Sequence, residues 1–167
     1  MMEETGIQHI EKKIISQDKA SEIGREFREH SKTLVFTNGC FDLLHPGHVD
    51  LLIRSRMSGD ALMVGLNTDA GIKRLKGPSR PVLDERARSL MIAALEVVDW
   101  VVLFDTDTPY ELIEAVKPMV LIKGGDYTPD KVVGKDIVES HGGRVEIVKF
   151  NIEVSTSEII SKLGRTE

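Results

Sequence analysis

The sequence predicts an α/β fold built on a doubly wound parallel sheet. Short apolar runs recur along the chain at Leu34-Val35-Phe36, Ala61–Leu66, Trp100–Phe104, Met119–Ile122 and Arg144–Val148. Amphipathic helical stretches lie between them, and strands alternating with helices imply parallel strands joined by right-handed crossovers. Polar clusters at 37–48, 67–76 and 123–127 fall at or just past strand ends. Ligands of such sheets bind beyond the carboxyl ends of the strands, near the switch point. The three clusters therefore mark one edge of the sheet as the place for chemistry.

The elements follow in order. Residues 1–17 are mixed in character and read as a partly ordered arm. Ser16 to His30 reads as a polar amphipathic helix, with Ile23 and Phe27 four apart on one face. The expected domain organisation is an N-terminal arm and helix over 1–31 and a catalytic domain over 32–167. Leu34-Val35-Phe36 is a short buried strand. After a Gly turn, Val49, Leu51, Leu52, Ile53 and Met57 suit a helix packed on the sheet, ending near Ser58-Gly59. Ala61–Leu66 is unbroken apolar sequence, as in a strand buried on both faces. Asn67 to Ser79 is polar and basic and reads as a loop with at most a helical turn. Asp84 caps a helix whose stripe is Ala87, Leu90, Met91, Ala94 and Leu95. Pro109 is expected at the first position of the helix that follows the Trp100 strand. A strand over 119–122, a helix near 135–141, a strand over 144–148 and a final helix over 156–163, capped by Ser155, complete the chain.

Composition narrows the function. The chain has 167 residues, 41% of them hydrophobic and 29% charged, with a net charge of -5. That length fits one domain with a short appendage, and the acidic balance argues against a nucleic-acid partner. No apolar run has the length of a membrane span, and Met1-Met2-Glu3-Glu4 lacks the features of a signal peptide. A cytoplasmic protein with no membrane partner is expected. The single cysteine, Cys40, excludes an intramolecular disulfide and reads as a small buried filler.

The richest stretch runs from Phe36 through Thr37, Asn38, Gly39, Cys40, Phe41, Asp42, Leu43, Leu44, His45, Pro46 and Gly47 to His48. It reads as a strand, a tight turn, and a helix opening with two histidines three residues apart. Helix N-termini attract anions through unpaired N–H groups and partial positive charge. Two imidazoles there suit an anion with several oxygens. Zinc is the rival ligand, but a third protein ligand is needed, and His9, His30 and His141 lie in segments with no reason to converge. No metal is therefore assigned to the protein. Asn38 and Gly39 offer backbone N–H groups, Phe41 belongs to the core, and Asp42 either orients the turn or stands behind the site. Lys73, Arg74 and Lys76, with Arg80 just beyond, form a basic patch that reads as a solvated loop or a phosphate clamp. Arg88 is placed to pair with Asp84 or Glu85 or to reach a triphosphate, and the phosphate reading is preferred. Lys123-Gly124-Gly125-Asp126-Tyr127 follows a buried strand, where Gly-Gly admits a planar base and Asp126 can accept from hydroxyls. Ser155-Thr156-Ser157 opens the last helix, with one hydroxyl for capping and others for phosphate.

These residues together resemble the cytidylyltransferase-like superfamily of nucleotidyltransferases, marked by His-x-Gly-His and a Ser/Thr-rich start to the last helix. Several blocks look closer still to the adenylyltransferase domains of ADP-heptose synthases. They include Asn67-Thr68-Asp69, Lys73–Gly77, Arg80-Pro81-Val82, Asp99-Trp100-Val101-Val102, Asp107-Thr108-Pro109 and Lys123–Tyr127. The resemblance covers about 32–163 and implies a Rossmann-like nucleotidyltransferase fold. It implies that His45 and His48 hold the α-phosphate and that, with Lys73, they carry catalysis. It assigns Thr37, Asn38, Gly39, Phe41, Gly47, Arg88, Lys123, Gly124, Asp126, Ser155, Thr156 and Ser157 to the nucleotide. It assigns Asp42, Asn67, Asp69, Lys76 and Arg80 to the second substrate. One departure is Glu158, where the last-helix motif lacks a basic residue.

The expected partners are ATP and a sugar phosphate, with Mg²⁺ carried in on the ATP phosphates, and a homodimer is the assembly the family suggests. The expected reaction moves AMP to a sugar 1-phosphate, with D-glycero-D-manno-heptose 1-phosphate the favoured acceptor. The rivals are a cytidylyltransferase acting on glycerol 3-phosphate and a nucleotide sensor without turnover.

Overall fold

The computed structural model describes residues 6–125, 127–149, 152 and 154–163. Six parallel strands form one sheet in the order β1-β4-β3-β2-β5-β6. They are β1 (Ile14–Ile15), β2 (Leu34–Gly39), β3 (Ala61–Asn67), β4 (Trp100–Phe104), β5 (Val120–Gly124) and β6 (Arg144–Val148). The helices are α1 (Gly6–Glu11), α2 (Gln17–Glu29), α3 (Pro46–Arg56), α4 (Asp69–Lys76), α5 (Glu85–Ala93), α6 (Tyr110–Val116), α7 (Lys135–Ser140) and α8 (Thr156–Leu163). Among the described residues, no helix is long and apolar enough to cross a membrane.

The period-two alternation of strand side chains sends two sets of residues to opposite faces. Leu34 and Phe36 face one way, with Met63, Val102 and Leu121, and pack against Ile23 of α2, Ile113 and Val116 of α6 and Val138 of α7. Val35 faces the other way, with Leu62, Val64, Val101 and Ile122, and packs against Leu52 of α3 and Ile92 of α5. All seven residues of β3 are buried, as expected for a strand covered on both faces. Close helix packing holds α2 to α6: a Cβ on Gly24 would lie 2.0 Å from the Val116 carbonyl oxygen.

Strands β2, β3 and β4 step outward to one side, and β5 then returns to the other side of β2. The switch point thus lies between the carboxyl ends of β2 and β5, where Asn38-Gly39 faces Lys123-Gly124.

Three local readings change. Residues 6–15, read as part of an arm, supply α1 and the edge strand β1, whose Ile14 and Ile15 register with Val101 and Val102. Lys13 fastens that edge by donating from Nζ to the Val98 carbonyl at 2.8 Å. The stretch read as a loop after Asn67 is the helix α4. Thr68 caps it, its Oγ1 accepting from Gly71 N, and Gly77 ends it at a φ of +95°. Only Ile72 among its apolar side chains is buried, so its periodic signal is faint. Pro109 is the N-cap of α6 rather than its first helical residue.

Candidate active site

β2 delivers Asn38 and Gly39 to the switch point, and the chain then turns sharply. Phe41 takes a φ of +42° and lays its ring 5.0 Å from that of His48. His45 is the N-cap residue of α3 by its extended backbone, but its side chain makes no capping hydrogen bond. Its carbonyl accepts from the backbone N–H groups of His48 and Val49 at 2.9 and 3.2 Å, which leaves the imidazole to the site. The His45 and His48 rings stack with centroids 3.7 Å apart at 24°. Gly47 permits this: a Cβ there would lie 3.1 Å from the His45 ring and 3.2 Å from the Ile152 carbonyl oxygen.

Burial disfavours the charged form of both imidazoles. Desolvation is the first cause for His48, and the neighbouring His45 and Lys76 add to it, lowering its pKa to about 4. Burial also lowers His45, with Glu158 acting in the opposite direction. Nδ1 of each ring is buried without a hydrogen-bond partner among the described residues.

Two adjoining cavities open beside the histidines. The smaller, about 180 Å³, is lined by His48, Phe41, Gly39, Leu51, Gly124 and Tyr127, among others. The larger, about 340 Å³, runs past Asn67, Leu75, Phe104, Asp107, Thr108 and Val132. Asn38, Gly39, Cys40, Lys123 and Tyr127 line both. The Lys123 ammonium lies 3.4 Å from Asn38 Oδ1 and 5.5 Å from the centre of the Tyr127 ring, and burial draws its pKa below the ordinary lysine value. It is a half-hidden cation beside neutral partners, a ready seat for an anion. His45 lines a separate, apolar hollow with Leu44, Val49, Ile53 and Ile152.

At the start of α8, Ser155 and Glu158 form a capping box. Ser155 N donates to Glu158 Oε2 at 2.9 Å, and Glu158 N donates to Ser155 Oγ at 3.2 Å. Thr156 and Ser157 occupy the first turn. On α4, Lys73 and Lys76 are exposed in the last turn.

Other residues expected at the site do not reach it. The Thr37 side chain is fully buried in the sheet and lines neither cavity. Arg88 does not offer its guanidinium to a phosphate: the side chain is fully buried and donates to the carbonyls of Leu83 and Cys40 and to Asp69 Oδ1. The Asp42 carboxylate is likewise spent inside, accepting from Arg80 Nε at 2.6 Å and from the Val82 and Leu83 N–H groups. Burial alone would raise its pKa, but these donors outweigh burial and hold it below the usual carboxylate range. Asp69, Arg80 and Asp42 are therefore tied into a framework, and none of them is among the residues lining the two cavities. Asp126 lies outside the described residues.

The sequence reading missed Tyr127, Leu75, Asp107, Thr108 and Val132 as lining residues. Asp107-Thr108 carries a signal in its place shortly after a strand end and in the block it shares with ADP-heptose synthases.

Residues 36–162 match the family described as cytidylyltransferase-like. The chain belongs to that family. It is a nucleotidyltransferase domain on a Rossmann-like sheet. It is 53% identical over 162 residues to the bifunctional protein HldE of Geobacter metallireducens, covering 96% of this chain and 33% of that one. It is 50% identical over 147 residues to the HldE protein of Gluconobacter oxydans, covering 88% and 31%. The chain thus spans about a third of the length of these curated relatives. Among solved structures it resembles the lipopolysaccharide core biosynthesis protein of Thermoplasma volcanium, with a TM-score of 0.60 and 30% identity, covering 74% of this chain and 99% of that one. Pantoate-beta-alanine ligase of Francisella tularensis, solved with an ATP analogue and beta-alanine, shares the fold at a TM-score of 0.58 and 13% identity, covering 88% and 75%.

Proposed function

We propose that this domain transfers AMP from ATP to a sugar 1-phosphate, D-glycero-D-manno-heptose 1-phosphate, giving an ADP-sugar and pyrophosphate. The observation that carries the reaction is the stacked His45–His48 pair at the mouth of α3, of which His48 lines a chamber shared with Lys123. The acceptor is favoured by the sequence blocks shared with ADP-heptose synthases and by the relatives named above.

A phosphate oxygen of the acceptor attacks the α-phosphorus, and the bond from that phosphorus to the bridging oxygen of pyrophosphate breaks. The acceptor oxygen is already ionised, so no general base is needed. Catalysis rests on positioning and on meeting charge. His48 and His45 donate N–H to the α-phosphate and the bridging oxygen. In-line displacement separates the attacking and leaving oxygens. Lys123 shares the smaller cavity with His48, and His45 stacks on His48 and feels the charge of Glu158 in the first turn of α8. In this reading pyrophosphate lies on the α8 side, met by Thr156 and Ser157, and the acceptor phosphate lies beside Lys123. The sugar then occupies the larger cavity, within reach of Asn67 and Thr108. Lys73 and Lys76 reach phosphate from above. In this reading Mg²⁺ enters as part of the ATP substrate. A reaction that consumes ATP is expected in the cytoplasm.

The test is pyrophosphate release with ATP or CTP against both anomers of the heptose 1-phosphate and against glycerol 3-phosphate. Release with ATP and a heptose phosphate alone is expected, and His48→Ala should lower kcat by two orders of magnitude or more, roughly the contribution of one oxyanion donor. Release with CTP and glycerol 3-phosphate would overturn the substrate assignment. Near wild-type turnover in His48→Ala would overturn the role of the histidines.

A further inference from the structure

The buried guanidinium of Arg88 joins three separate pieces of chain. Nη1 donates to the Cys40 carbonyl of the signature turn at 2.7 Å, and Nε donates to the Leu83 carbonyl ahead of α5 at 3.0 Å. Nη2 donates to Asp69 Oδ1, in the first turn of α4, at 2.7 Å. Asp69 is held again from its backbone, where its N–H donates to Glu85 Oε2 at 2.8 Å. Arg88 is wholly buried and Asp69 is 28% exposed, so this is a desolvated pair whose loss is costly. Further along, Arg74 binds Asp107 and Asp105 in the loop after β4.

We infer that Arg88 is a positioning residue that locks the base of α4 to the turn carrying His48, and so sets where Lys73 and Lys76 stand over the site. The inference rests on the proposed phosphate role of those lysines. The lever is short and stiff. At 1.5 Å per residue, Asp69 and Lys76 are about 10 Å apart along the helix, so a tilt of about 10° at Asp69 moves the Lys76 end by about 2 Å. Misplacement of about 1 Å in a phosphate-transfer site can cost about a hundredfold in rate.

A mutant cycle tests this. Asp69→Ala cuts the tie, and Lys73→Ala with Lys76→Ala removes what the tie positions. The readouts are the Kd for ATP by calorimetry, which needs no acceptor, and kcat/KM in pyrophosphate release. Asp69→Ala is expected to weaken both by about tenfold in the wild-type background and by less than about twofold in the background lacking Lys73 and Lys76, because coupled sites are not additive. Asp69→Asn, which keeps an acceptor for Arg88, should recover much of the loss. Far-UV circular dichroism and Tm show that each variant is folded. Equal losses from Asp69→Ala in both backgrounds would mean a general structural effect and would overturn the inference. A Lys73→Ala/Lys76→Ala protein that matches wild type would overturn it as well, with the histidine chemistry untouched. If wild type turned over no acceptor, the proposed reaction would fall, and the ATP cycle would still decide the role of Arg88.

Discussion

His48 is a weak base because the fold removes water from its ring and stacks a second imidazole on it. With a pKa of about 4, it is neutral in the free protein from pH 5.5 upward, so in the proposed reaction it would meet phosphate as an N–H donor and not as a cation. The profile of kcat/KM reports ionisations of free enzyme and free substrate. The expected profile of kcat/KM for ATP therefore has no inflection near pH 6.5 arising from His48. Any step there belongs to substrate phosphates, whose second pKa is about 6, and persists in His48→Ala. A step that vanishes in that variant would contradict the assignment. Asp42 illustrates the other use of a polar residue. Its side chain is 1% exposed, it pairs with Arg80, which is 14% exposed, and it holds the 80–83 loop to the signature turn. Asp42→Asn leaves a buried guanidinium without its counter-charge and should cost about 3 kcal/mol, or roughly 10 °C in Tm, measured by thermal unfolding. A change under about 2 °C would show that the pair is dispensable.

At the scale of elements, helix ends do much of the work. α3 has no side chain capping its N-terminus, because the His45 ring stacks on His48 instead. α8 is different: Glu158 fills its N-terminus. A carboxylate there stabilises the helix and competes with any phosphate that approaches Thr156 and Ser157. Glu158→Gln preserves the capping box and removes the charge. KM for ATP should fall by about twofold to fivefold, as expected for a helix-terminal charge worth up to about 1 kcal/mol. A rise in KM would argue that the start of α8 does not meet ATP phosphates. α4 shows what single-sequence periodicity overlooks. One buried apolar residue gives no stripe, and the helix persists because Thr68 caps it, Arg88 and Glu85 anchor its first turn, and its basic last turn suits the helix dipole.

For the whole molecule, the same buried groups set the response to acid. His48 has a lower pKa folded than unfolded, where about 6.5 applies. Between pH 6.5 and 4 the unfolded chain binds the extra proton, so stability falls as pH falls through that window. The lowered pKa of His45 acts in the same direction. Asp42 adds to the loss further down, because its depressed pKa gives stability that disappears as its carboxylate is protonated. The His48 contribution is on the order of 2–3 kcal/mol. Urea midpoints measured at pH 7 and pH 4.5 should show the decline, and His48→Gln should flatten it. A midpoint equally pH-dependent in that variant would place the effect elsewhere.

The sequence by itself determined the class of fold, the five apolar segments that needed no long-range help (the two-residue edge strand apart), the turn carrying both histidines, and the helices starting at Ser16, Asp84 and Ser155. These signals are local: alternation, Gly turns, cap residues and the spacing of His45 and His48 act within a few positions. The tertiary structure decided which charged residues are tied into the framework. Asp42 finds Arg80, and Arg88 finds Asp69 and the Cys40 carbonyl, across long stretches of chain. Burial of a charge is tolerable only with such partners. Partners like these are brought together by strand order and helix packing, which no local pattern encodes.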